Sequence, residues 1–164
     1  MFAQGQFSTT LFPSRGPGLR GAGGRDAAAR NALALGGAPR VMVIEDVQNF
    51  RELVGTILKH NGFQVTSASN GREALLALDI CLPELIILDI EMPELDGLTF
   101  LEALHRNTLA RNIPVILLTA HPKREYIERA AALGVRQCLV KANFNLKELA
   151  ACVKSILDLE KDID

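Results

Sequence analysis

From Arg40 onward the chain alternates two hydrophobic periods. Val41-Met42-Val43-Ile44, Leu85-Ile86-Ile87-Leu88 and Val115-Ile116-Leu117-Leu118 are apolar at every position. A strand covered on both faces produces such an unbroken run, whereas a strand with one wet face alternates. Between the runs the apolar positions follow helical spacing: Phe50, Leu53, Val54, Ile57 and Leu58 form one stripe, and Asn61-Gly62 stops it. Residues 63–67 read as a second strand, 70–80 as a second helix and 98–105 as a third. Pro122 opens a fourth helix that runs through Leu133 and ends at Gly134. Residues 135–140 form the fifth strand, and Asn145 with Glu148 three positions on resembles a capping box at the start of the last helix.

Five strands alternating with five helices predict an α/β fold: a doubly wound, five-stranded parallel sheet flanked by five helices. In such sheets ligands bind beyond the carboxyl ends of the strands. The polar residues at those ends are Glu45-Asp46 after the first strand, Asp89 after the third, Thr119 after the fourth and Lys141 after the fifth. Asp89 is the second residue of the segment LDIEMPELDG, in which Asp89, Glu91, Glu94 and Asp96 are unaccompanied by any Lys or Arg. A carboxylate at the end of a buried strand needs a partner, because desolvating its charge is costly.

That partner can be specified chemically. Glu45, Asp46 and Asp89 crowd three like charges, an arrangement that a hard divalent cation relieves. Magnesium suits such a site, taking few oxygen ligands from protein and leaving room for water and phosphate. A carboxylate can also attack a phosphoryl group and form an aspartyl phosphate. Lys141 would balance the incoming charge and Thr119 could donate a hydrogen bond to it. Taken singly, the Glu-Asp pair reads as a helix cap and the lysine as a solvated strand end; the four strand ends together point to one cleft.

Composition changes this picture mainly at the N-terminus. Residues 1–40 carry five arginines against Asp26 alone, a net charge of +4, while the remainder carries 13 basic and 18 acidic side chains, a net of −5. The stretch 1–38 is rich in Gly, Ala and Arg, holds no sustained period and reads as a disordered tail, leaving residues 39–164 as the domain. GPGLRG at 16–21 fits the spacing GxGxxG, but no strand precedes it, so it carries no nucleotide-site reading. The apolar runs are too short to span a membrane. Cys81, Cys138 and Cys152 are odd in number and widely spaced, which argues against a disulfide framework or zinc site and fits a reducing cytoplasm.

The joint set VMVIEDVQNFRELV, LIILDIEMPELDG, PVILLTA and CLVK followed by FNLKEL resembles the receiver domain of two-component response regulators, of the stand-alone chemotaxis type, over residues 39–160. The resemblance implies a flavodoxin-like sheet of order 2-1-3-4-5. It implies Asp89 as phosphoacceptor, with Mg2+ organised by Glu45, Asp46, Asp89 and the backbone carbonyl of Glu91. Thr119 and Lys141 would bind phosphoryl oxygens, small Ala120 would leave room above them, and Pro93 and Gly97 would turn the chain away from the site. Asp96 is then the acid that starts the third helix.

The implied function is that of a single-domain response regulator. It takes a phosphoryl group from a histidine kinase or phosphotransfer protein and changes its surface toward a downstream protein partner. By resemblance that surface is the face of the fourth helix, fifth strand and fifth helix, where Lys123, Arg124, Tyr126 and Arg136 are candidates. The chain runs out in the last helix with no output segment after it, so no direct nucleic-acid contact is expected, and the state expected is a monomer or a weak phosphorylation-dependent dimer. A phosphorelay intermediate or phosphate sink would share the site, and a phosphorylation-independent interaction module would not need the acids. A dehalogenase-type phosphatase would want an Asp where Glu91 stands.

Two departures from the family pattern bear on the output. The family's usual aromatic residue, three before the lysine, is replaced by Cys138. The usual Lys-Pro is replaced by Lys141-Ala142, with Asn143 before Phe144, which predicts a trans peptide there with the ammonium still toward Asp89.

Overall fold

A computed structural model describes residues 9–11, 37–143 and 145–161 of the chain. The elements are β1 (Thr9–Leu11), β2 (Arg40–Ile44), α1 (Gln48–His60), β3 (Gln64–Ala68), α2 (Gly71–Ile80), β4 (Leu85–Asp89), α3 (Gly97–Arg106), β5 (Val115–Thr119), α4 (Arg124–Ala132), β6 (Val135–Val140) and α5 (Leu146–Lys161). They form a six-stranded sheet of order β1-β6-β5-β4-β2-β3. The five strands β2 to β6 are all parallel and stand in the expected 2-1-3-4-5 order, with five helices.

The unbroken apolar runs are explained by two separate cores. Met42, Ile44, Ile86, Leu88 and Leu117 point to the side covered by α2, α3 and α4, where they meet Ala74, Leu78, Leu101, Leu104 and Ala130. Val41, Val43, Leu85, Ile87, Ile116 and Leu118 point to the other side and pack on Val54 and Leu58 of α1 and on Leu149, Val153 and Ile156 of α5. Burying a strand side chain of this size stabilises by about 1.5–3 kcal/mol, and here both alternating sets are buried.

Local signals start most helices where the sequence places them. Asn70 caps α2 by accepting from the Glu73 amide at 2.8 Å, and Glu73 reaches back to the Ser69 amide at 2.8 Å. Asp96 caps α3 by accepting from the Thr99 amide at 2.8 Å. Asn145 caps α5 through the Lys147 and Glu148 amides. Helix α4 begins two residues after Pro122, because a tight turn from the Lys123 amide to the His121 carbonyl, 2.8 Å, holds the proline outside the helix.

The sequence reading assigned no element to residues 1–38, yet Thr9–Leu11 pairs antiparallel with β6 in the register Thr9↔Leu139, Thr10↔Cys138, Leu11↔Gln137. Three residues are too few to show a period, and what selects them is an open sheet edge remote in sequence. The rest of the tail reading up to residue 36, GPGLRG included, and Phe144 lie outside the described residues. No described helix is long and apolar enough to cross a membrane.

Candidate functional site

The carboxyl ends of β2, β4, β5 and β6 bring the polar strand ends together on one edge of the sheet. Asp89, the last residue of β4, is 3% exposed although it is a carboxylate. Its Oδ1 accepts from the Glu91 amide at 3.1 Å and its Oδ2 from Lys141 Nζ at 3.1 Å. Glu45 is 1% exposed, and its Oε1 accepts from the Val47 amide at 3.1 Å. Its Oε2 forms an ion pair with Lys141 Nζ at 2.6 Å. One ammonium therefore bridges the two buried carboxylates.

The electrostatics follow from that burial. Loss of solvent pushes the Glu45 carboxyl up to about 7, Lys141 pulling it back and the Asp89 charge adding to the rise. Asp89 is raised for the same first reason, desolvation, against the pull of Lys141 and the Glu91 amide. Burial draws Lys141 down, but Glu45 and Asp89 outweigh it and the ammonium ends above its ordinary value. Lys141 is held also by its neighbour Phe50, whose ring centre lies 4.8 Å from Nζ.

Glu45, Asp46 and Asp89 each present an oxygen within 4.8 Å of the others. Such spacing lets one small cation touch all three. The donor set is all oxygen, which fits magnesium and not a thiophilic metal. Arg51 fixes the backbone of the acidic pair, donating from Nη1 to the Glu45 carbonyl at 2.6 Å and to that of Asp46 at 3.4 Å. Gly97 fixes the other side: a Cβ there would lie 2.5 Å from the Asp89 carbonyl oxygen and 2.7 Å from Ile90 Cα. Only glycine lets α3 start against the backbone that carries Asp89.

Of the expected site residues, Glu45, Asp46, Asp89 and Lys141 converge. The amide of Glu91 joins them, while its side chain turns away to His121. Thr119 at the end of β5 is buried; its hydroxyl donates to the His121 carbonyl at 3.0 Å and accepts from the His121 amide at 3.1 Å. The peptide Lys141-Ala142 is trans, no cis bond occurring among the described residues. A tight turn closed by the Asn143 amide on the Val140 carbonyl, 3.0 Å, carries the chain away, with Asn143 at ordinary backbone angles; among described residues other than glycine only Glu94 takes a positive φ, 67°. Cys138 is buried on the α4 side of the sheet, where desolvation pushes its thiol up to about 11.

Several residues escaped the sequence reading. His121 meets Glu91 with Nδ1 3.0 Å from Oε2, a contact that joins the loops after β4 and β5. Arg51 and Phe50 were read only as helix positions, since nothing local distinguishes an arginine or phenylalanine that contacts a distant loop. On the expected partner face, Arg124 is tied to Glu128 at 2.7 Å and Lys123 lies 5.3 Å from the Tyr126 ring centre.

Comparison with known proteins matches this fold. The model of the response regulator receiver domain matches residues 41–154. Phosphate regulon transcriptional regulatory protein PhoB of Klebsiella pneumoniae is 37% identical over 120 residues, covering 73% of this chain and 52% of that protein. The probable chemotaxis protein CheY of Rhizobium etli is 31% identical over 118 residues, covering 71% and 91%. The chain thus spans about half the length of PhoB. Among solved structures, chemotaxis protein CheY4 of Vibrio cholerae superposes with a TM-score of 0.68 at 28% identity, covering 72% of this chain and 98% of that one. A response regulator of Thermotoga maritima in complex with Mg(2+)-BeF superposes with a TM-score of 0.62 at 33% identity, covering 71% and 97%. With the parallel 2-1-3-4-5 order and the strand-end acids in place, the chain belongs to the response regulator receiver domain family.

Proposed function

We propose that the chain is a phosphoacceptor switch in which Asp89 takes a phosphoryl group from a histidine kinase or phosphotransfer protein. The observation that supports this best is the buried Asp89 carboxylate, 3.1 Å from Lys141 Nζ and within 4.8 Å of the oxygens of Glu45 and Asp46. A carboxylate oxygen attacks phosphorus; the new O–P bond forms as the P–N bond to the donor imidazole breaks, and the imidazole leaves with the electron pair. Glu45, Asp46, Asp89 and the Glu91 carbonyl would hold Mg2+, which when bound supplies charge neutralisation and a template for the phosphoryl oxygens.

The chain's own groups do the positioning. The Glu91 amide holds one Asp89 oxygen so that the carboxylate presents a fixed face. Lys141 neutralises the pair of acids at rest and meets the added charge after transfer. Thr119 reaches a phosphoryl oxygen only by releasing the His121 carbonyl, so that the β5–α4 loop changes when the group arrives. This couples the site to the face of α4, β6 and α5, through which the switch signals to a downstream protein; a monomer or weak phosphorylation-dependent dimer fits that role.

The test is labelling with acetyl phosphate in the presence of Mg2+. The wild type should gain one phosphoryl group and Asp89→Asn none, with no gain in chelator. Undiminished labelling of Asp89→Asn would overturn the assignment.

A further inference from the structure

In the parallel sheet β6 is the last strand on its side, and without β1 its outer backbone groups would face no partner strand. The strand is buried on both faces, Cys138 in one core and Leu139 in the other. Its ladder with β5 is irregular at Arg136 and regular from Gln137 to Val140, and a regular, well-packed edge of this kind is a template for a further strand. Its polarity can be read residue by residue. Lys141 donates its amide inward to the Thr119 carbonyl at 2.8 Å, so alternation turns the amides of Leu139 and Gln137 inward too and those of Val140 and Cys138 outward. Thr10, opposite Cys138, is then the residue of β1 that exchanges both backbone hydrogen bonds with β6, while the Thr9 amide faces away.

The direction of the pairing suits an intramolecular ligand. Leu11 stands opposite Gln137, toward the amino end of β6, and β2 starts at that same end of the parallel sheet. The path from β6 across β5 and β4 to β2 is three strand spacings, roughly 15 Å. A segment of the length of residues 12–39 is long enough to span it many times over. The sequence supports the pairing: β-branched Thr9 and Thr10 favour the strand.

We propose that Thr9–Leu11 is a resident edge ligand, an internal strand that seals the outer edge of β6 against strand pairing with a second copy of the chain. Two β6 edges related by a two-fold axis run antiparallel, the same sense in which β1 now pairs, so the segment and a second copy compete for one row of hydrogen bonds. On the signalling reading above, on which this consequence rests, the seal lies in the middle of the α4, β6, α5 face.

The experiment is native-state hydrogen exchange by NMR on the full chain, comparing wild type with Thr10→Pro and Thr9→Pro. Proline at Thr10 removes the donor that faces β6, and proline at Thr9 removes one that faces away. Loss of the short ladder should speed exchange of the Cys138 amide about tenfold in Thr10→Pro and leave it near wild type in Thr9→Pro. The inward amides of Gln137 and Leu139, and those of β2 and β4, should keep their protection and so report that the rest of the chain is folded. Sedimentation should show Thr10→Pro associating at concentrations where the wild type is monomeric. Equal Cys138 exchange in all three chains would overturn the occupancy, and a Thr10→Pro chain with an opened edge that stays monomeric would overturn the sealing. Neither readout involves phosphoryl transfer, so either failure leaves the labelling of Asp89 as an independent question.

Discussion

Raising the pH of the metal-free protein should destabilise it across the range in which most proteins are steady. Glu45 titrates near 4.5 in the unfolded chain and near 7 in the folded one, burial being the main cause. A carboxyl whose folded value is raised prefers to be neutral in the fold: its stability is fully present below about pH 4.5 and is lost as pH climbs through about 7. Each unit of difference is about 1.4 kcal/mol, so the swing is at most about 3–4 kcal/mol. That is a large part of the roughly 5–15 kcal/mol that keeps a domain folded. Asp89 is raised too and adds to the same slope. Lys141, raised from 10.5, loses its contribution only at much higher pH, and Glu73, lowered by its bonds to Ser69, acts below its ordinary range. Urea unfolding in chelator at several pH values from 4.5 to 8 measures the slope, and Glu45→Gln should flatten it. With excess Mg2+ the curve should rise instead, because the cation binds the ionised acids and displaces the proton. A flat or rising curve in chelator, or an unchanged slope in Glu45→Gln, would refute the reasoning.

Other predictions concern what holds the site in shape. Gly97→Ala forces a Cβ against the Asp89 and Ile90 backbone, which cannot swing aside, and should lower stability by roughly 1–3 kcal/mol and slow labelling of Asp89; a thermal melt and a time course check both. Phe50→Leu keeps the apolar packing but removes the ring beside Lys141, so labelling should weaken and stability fall by about 0.5–2 kcal/mol, whereas an unchanged labelling rate would deny the ring a positioning role. Asp46→Ala should weaken Mg2+ binding in titration calorimetry more than Glu45→Ala, since Glu45 is already engaged by Lys141; equal losses would mean that the two share the cation alike.

The sequence by itself determined the parallel sheet, its helices and the acids at the strand ends, because each is announced by a short-range pattern. A short, β-branched-rich apolar run such as Leu85-Ile86-Ile87-Leu88, set between helical stretches, reads as a strand with two covered faces, and Asn70, Asp96 and Asn145 accept from amides two or three residues away. Asp89 and Lys141 were legible as partners for the same reason: both end strands that must lie in one sheet. The tertiary structure alone decided the contacts between segments that carry no mark of each other. His121 meets Glu91 across 30 residues, and Phe50 meets Lys141 across two elements that only the folded sheet brings together. Thr119 spends its hydroxyl on its own loop, where the turn at His121 offers it both a donor and an acceptor. Thr9–Leu11 becomes a strand because β6 presents an edge, a property of the assembled sheet that no window of the N-terminal sequence contains.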